Sequence, residues 1–375
     1  MVTSELSRAL PKPNVLFREA DHNYATDRKG YLQAMEDSVF SFRSSTGADI
    51  DCSLIPGDGN EALVVWAPFS DCAPRSSAVD MYHYIAQREE SPTLHDKVKA
   101  APNSWNQLTK SAVVSEFLTT TGHDMPVLTI FSPLPSVPHN AYSHAENKQI
   151  RRGDFTPAGR LTLEALRAAQ DRLHGPRSET QLESIHTHGA SLGASSAVGS
   201  AHALMQAGTY EVGSVTAQEL IVAPKRVVGD LALRFTVKGS VGEVSDWNKL
   251  RHSHTPLYEP LIRREIDSNG NEPAMILRML QGMSKLSRLK GLTRPERNRI
   301  PAQIEDLAEA GVSVAIPLAV NSGLTHDTPD WLPGAGERVI TVRATNGERI
   351  AHLIDEHVGA TALLAVMHVA NSSRR

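Results

Sequence analysis

Ile185-His186-Thr187-His188-Gly189-Ala190-Ser191-Leu192-Gly193-Ala194 is the stretch on which the reading of the fold turns. It opens on β-prone residues, passes through a G-x-S-x-G string, and runs into Ser195, Ser196, Ala197, Gly199, Ser200 and Ala201, a helical pattern rich in small residues. A strand that turns sharply into a helix holds the residue at the turn in a strained conformation. The flanking positions must then be small for helix and strand to approach. Gly189 and Gly193 meet that steric demand. The same turn aims the Ser191 hydroxyl outward beside the positive end of the helix, where the backbone N–H of Leu192 can bind an oxyanion.

Working outward, the pattern upstream is of short β-prone runs. Residues 38–43 and 49–55 read as a hairpin across Ser44-Ser45-Thr46-Gly47-Ala48, and 62–67 is a continuous apolar run of the buried-strand type. Residues 126–131 form another buried strand leading into a Pro-rich loop. Thr156-Pro157 starts a helix whose face carries Leu163, Leu166, Ala169 and Leu173, stopped by Gly175-Pro176. Strands at 182–187, 214–222 and 312–320 then alternate with helices at 191–206, ended by Gly208, and 303–310, ended by Gly311. A helix at 348–357 and a last strand at 362–367 complete the pattern, and 338–343 reads as an extra strand that complicates the count. Such alternation predicts an α/β fold with a mostly parallel central sheet flanked by helices.

Between 229 and 301 no buried strand is legible. Helical runs take over, with Ile276, Met279, Leu280, Met283 and Leu286 on one face and an excess of Lys and Arg. The expected organisation is an N-terminal arm at 1–37, a core at 38–228 and 302–375, and a helical lid inserted at 229–301. The basic face of that lid reads as a solvated surface over an active site or, alternatively, as a surface that attracts an anionic substrate or a membrane.

The chain of 375 residues is 40% apolar and 21% charged, with a net charge of −4. That is the composition of a globular protein, and it provides no broad cationic face for nucleic acid. Cys52 and Cys72 are too few for a disulfide framework and are not spaced as a zinc site. No apolar run reaches the length that spans a bilayer, and the first 17 residues lack a secretory pattern. A cytoplasmic location without membrane insertion is the expectation.

The string from Ile185 to Ala194 resembles the nucleophile elbow of the α/β-hydrolase fold family. Members open with an antiparallel strand pair, carry an oxyanion loop after the third strand and the elbow after the fifth, and often insert a cap after the sixth. The order read here from 38 to 368 agrees. The resemblance implies a serine hydrolase acting on an ester or related acyl bond of a small-molecule substrate, with no cofactor. It implies Ser191 as nucleophile and an oxyanion hole of the Leu192 amide and one from Pro68-Phe69-Ser70-Asp71; Pro68 has no N–H, so Phe69 is chosen. The family's chain order of nucleophile, acid, base leaves His326, His352, His357 and His368 as bases. His368 follows the expected last strand and is preferred. Asp327, in the loop after 312–320, matches the acid, with Asp330 as the alternative. The same triad fits a peptidase or an acyltransferase, and a catalytically silent binding protein would keep the scaffold with Ser191 as a helix cap.

Other signals are weaker. His186 and His188 point to one side of a strand, and His252 and His254 make a second pair, but neither has a third metal ligand at a suitable spacing. Ser287-Arg288-Leu289-Lys290 fits S-x-x-K without its companion motifs. Neither a dinucleotide fingerprint nor a P-loop is present in the sequence.

Overall fold

The computed structural model describes residues 26, 27, 30, 34, 37–67, 114, 115, 118, 119, 122–131, 141–174, 182–190, 192–218, 220, 298–319 and 339–344. Among these residues the eight strands are β1 (Val39–Arg43), β2 (Asp49–Ile55), β3 (Glu61–Trp66), β4 (Val127–Ile130), β5 (Ser184–Ala190), β6 (Glu211–Gln218), β7 (Ser313–Ala319) and β8 (Val339–Ala344). Four helices concern the site: α1 (His144–Arg151), α2 (Pro157–His174), α3 (Leu192–Ala207) and α4 (Ile300–Glu309). The strands form one sheet in the order β1-β2-β4-β3-β5-β6-β7-β8. β2 runs antiparallel to β1 and β4, and every pair from β4 to β8 is parallel. The sheet class read from the sequence is therefore the one observed.

The expected hairpin forms, with Val39 opposite Ser53 and Arg43 opposite Asp49. It leads not into β3 but onto β4, which lies between β2 and β3. β3, the Glu-Ala-Leu-Val-Val-Trp run, thereby gains a parallel neighbour on each side, and its side chains from Ala62 to Trp66 are all buried. A strand covered on both faces loses nothing by being apolar throughout.

Alternation divides the sheet into two unlike faces. On one, Val64, Trp66, Leu128, Ile130, Ile185, Val215, Val314 and Ile316 form the main core with α2, α3 and α4. On the other, Leu63, Val65 and Val127 pack with Val114, Leu118 and Met125. Beside them that second face turns polar. His186 and His188 of β5 lie next to Ser214 and Thr216 of β6, and all four are buried. β6 begins at Glu211, earlier than the expected 214, and carries polar side chains at alternate positions of a buried face.

α2 and α3 sit close to each other because the residues between them are small. A Cβ on Gly159 of α2 would lie 2.3 Å from the Ala203 Cβ of α3. At the same interface the buried Thr162 and Ser200 hydroxyls are 2.6 Å apart. Asp154 organises the turn before α2, accepting from the Thr156 hydroxyl at 2.6 Å and from Gln303 of α4 at 3.3 Å. α4 starts at Ile300, which is fully buried, so the last two residues assigned from sequence to the inserted segment already belong to the core helix. α3 and α4 are also joined by His202 Nε2 and Asp306 at 3.0 Å. The expected lid from 229 to 297, the strand at 362–367 and the helix at 348–357 lie outside the described residues.

One helix was not foreseen. α1 starts at a capping box in which the Ser143 side chain accepts from the Glu146 N–H and the Glu146 carboxylate accepts from the Ser143 N–H. Arg160 of α2 then holds Glu146, Glu164 and the Ala141 carbonyl together.

Candidate active site

β5 ends at Ala190 and α3 begins at Leu192, so a single residue, Ser191, joins strand to helix. Ser191 itself lies outside the described residues, and its surroundings define the turn. A Cβ on Gly189 would lie 2.1 Å from the carbonyl oxygen of Gly193, and a Cβ on Gly193 would lie 2.6 Å from the Trp66 oxygen and 2.8 Å from that of Ala67. No real side chain fits at such distances. The two glycines of the G-x-S-x-G string are thus imposed by close contact between the end of β5, the first turn of α3 and the end of β3.

Leu192 opens α3, so its backbone N–H belongs to the first turn, whose amides lack intrahelical acceptors and carry the positive end of the helix dipole. The end of β3 is fixed beside that turn, Ala67 donating to the Ile130 carbonyl at 3.0 Å. The segment with Phe69 departs from this point, and Phe69 lies outside the described residues. So do Asp327, Asp330, His326, His352, His357 and His368. Yet β3, β5 and β7 are mutually parallel, so the segments that carry Phe69, Ser191 and Asp327 each begin at the same carboxyl edge of the sheet. Open α/β sheets bind ligands along that edge.

The fold is α/β-hydrolase-like. An antiparallel pair opens the sheet, the glycine-flanked turn follows the fifth strand, and the sixth strand precedes the segment expected as a cap.

The sequence matches no protein-family model. Comparison with characterised proteins finds no matching relative. Among solved structures the chain is similar to a bacterial membrane phospholipase A described as a virulence factor, with 12% identity over 94% of this chain and 93% of that one, at a TM-score of 0.48. It is similar to a hyperthermophilic esterase from the archaeon Pyrobaculum calidifontis, with 12% identity over 96% and 97% of the two chains and a TM-score of 0.46. A carboxyl esterase from the mycorrhizal fungus Tuber melanosporum gives 10% identity over 89% and 85%, at 0.44.

Elsewhere in the hydrolase-like sheet, the histidine pair of β5 has a structural setting. His186 Nδ1 is 2.8 Å from the Ser214 hydroxyl, and its Nε2 is 3.8 Å from a Glu61 carboxylate oxygen. Pairing passes from Ile185–Val212 to His186–Ser214, which makes Gly213 a bulge. A Cβ there would lie 2.4 Å from the His186 ring, so the bulged glycine seats the imidazole. Among the described residues no three His, Cys, Asp or Glu side chains are grouped to hold a metal ion. No helix among them is long and apolar enough to cross a membrane. One buried side chain at the carboxyl edge escaped the sequence reading: Gln218, the last residue of β6, beside Ala190. Its signal was the alternation Ser214, Thr216, Gln218, polar at every second position.

Proposed function

We propose that the protein is a serine hydrolase that cleaves an ester or related acyl bond through an acyl-enzyme on Ser191. The observation that carries this reading is the double glycine contact around Ser191, which a helix capped by an ordinary serine does not require. A histidine takes the Ser191 proton as the oxygen attacks the acyl carbon. The Leu192 and Phe69 amides hold the oxyanion, and the histidine returns the proton to the leaving group. Water then releases the acyl group by the same steps. Asp327, with Asp330 as alternative, orients the imidazole. None of these steps calls for a diffusible cofactor.

His368 is the base preferred from sequence. Among the described residues β8 at Val339–Ala344 is the last strand, and the base in this fold follows the last strand, which makes His352, the first histidine after β8, a second candidate. A fluorophosphonate probe tests the class. Wild type is expected to label, and Ser191→Ala to fold without labelling. Folded wild type that stays unlabelled would favour a silent binding protein. His352→Ala and His368→Ala then separate the bases, since the true base loses labelling and the other keeps the wild-type rate. A panel of p-nitrophenyl esters of rising chain length distinguishes an esterase from a peptidase, and alcohol acceptors in the assay reveal an acyltransferase.

A further inference from the structure

Among the described residues, two buried polar atoms without a hydrogen-bond partner lie at the carboxyl ends of the strands flanking β5: Trp66 Nε1, opposite Gly189, and Gln218 Oε1, opposite Ala190. Trp66 belongs to the apolar core under α3. Gln218 lies on the other face, in line with Ser214 and Thr216, and is 3% exposed. Ala190 is the residue immediately before Ser191.

An acceptor removed from water and left without a donor costs free energy, and native proteins tolerate such groups where a ligand or a reaction uses them. We propose that Gln218 determines substrate specificity, its Oε1 accepting a hydrogen bond from a hydroxyl or N–H group on the acyl chain held at Ser191. This rests on the serine-hydrolase reading above. The reach is suitable, because neighbouring strands are about 4.8 Å apart and an acyl group on Ser191 starts one residue beyond the Ala190 that pairs with Gln218. The face is suitable as well, because the opposite one is filled by α3 and the indole of Trp66. A site with a buried acceptor selects by chemistry: a substrate that brings a donor satisfies it, while an analogue of equal size without one leaves it orphaned. The preferred substrate class is therefore an ester whose acyl chain carries a hydroxyl or amide N–H close to the scissile carbonyl.

The test compares p-nitrophenyl β-hydroxybutyrate with p-nitrophenyl butyrate, read as the ratio of their kcat/KM values. Wild type is expected to favour the hydroxy ester by about tenfold, the scale of one hydrogen bond. Gln218→Met, which removes the acceptor at similar length, is expected to bring the ratio to about one, whereas Gln218→Glu, which keeps an acceptor, retains the preference. A wild-type ratio of one or less overturns the inference without any variant, and so does a Gln218→Met ratio equal to that of wild type. Turnover of butyrate with no discrimination defeats only the role of Gln218. Turnover of neither ester by a wild type that the fluorophosphonate probe labels defeats the proposed acyl preference alone, whereas turnover of neither without labelling defeats the hydrolase reading as well.

Discussion

Gly189 and Gly193 lie so close that a Cβ on the first would meet the carbonyl oxygen of the second at 2.1 Å. The obstacle is backbone, which cannot rotate aside, so Gly189→Ala must push β5 and α3 apart. A loss of about 3 kcal/mol is expected, with loss of fluorophosphonate labelling in whatever remains folded. Gly122 is the control: it has φ +85° but open space around its missing Cβ, and Gly122→Ala should cost only about 1 kcal/mol. Urea denaturation of both variants checks the ordering, and equal midpoints would remove the steric argument.

Thr162 donates to the Ala158 carbonyl at 3.1 Å, so within the buried Thr162–Ser200 pair the proton must come from Ser200. Thr162→Val then strands a buried hydroxyl, at about 1 to 3 kcal/mol, while Ser200→Ala leaves Thr162 its Ala158 bond and costs less. The double variant should be no less stable than Thr162→Val alone. Thermal or chemical unfolding of the three proteins decides this, and a Ser200→Ala cost exceeding that of Thr162→Val would contradict the proton assignment.

Burial raises the Glu146 pKa, but hydrogen bonds from Arg160 and from the Ser143 amide outweigh it and hold the carboxyl below its ordinary value. A group depressed in the folded state stabilises above its unfolded pKa, about 4.3 for glutamate, and loses that contribution as pH falls through the lower folded value. At neutral pH Glu146→Gln should therefore cost about 1 kcal/mol, and the gap to wild type should close across that acidic window. Unfolding midpoints measured from neutral to acid pH test the trend; a gap constant with pH would exclude it.

Burial, with a further push from the Asp51 carboxylate, raises the Cys52 thiol well above its ordinary pKa. A buried, protonated thiol is a poor nucleophile. Iodoacetamide followed by peptide mapping should find Cys52 unmodified in the native protein and fully modified in guanidinium chloride. Rapid native labelling at Cys52 would show that β2 opens far more readily than its place in the core implies.

Local signals carried much of this architecture. The hairpin of β1 and β2, the apolar runs of β3 and β4, the Thr156-Pro157 helix start, and the stops at Gly208 and Gly311 are all short-range features, and both glycines do adopt positive φ. α1 was legible too, since Ser143 and Glu146 stand at capping-box spacing just past the loop that hid it. The alternation of Ser214, Thr216 and Gln218 was legible but its burial was not, because such residues look the same on a buried face as on a solvated one, and the bulge at Gly213 left no local signal.

The chain by itself determined the order of the described strands, the mostly parallel sheet and the glycine-flanked serine, because each follows from side-chain size and periodicity within a few residues. Only the tertiary structure decided that β4 enters between β2 and β3, that the Trp66 and Ala67 carbonyls close on Gly193, and that Gln218 is buried one strand away from Ala190. Those contacts join residues far apart in the chain. Their partners are chosen by how strands pair and layers pack, which no local pattern of residues encodes.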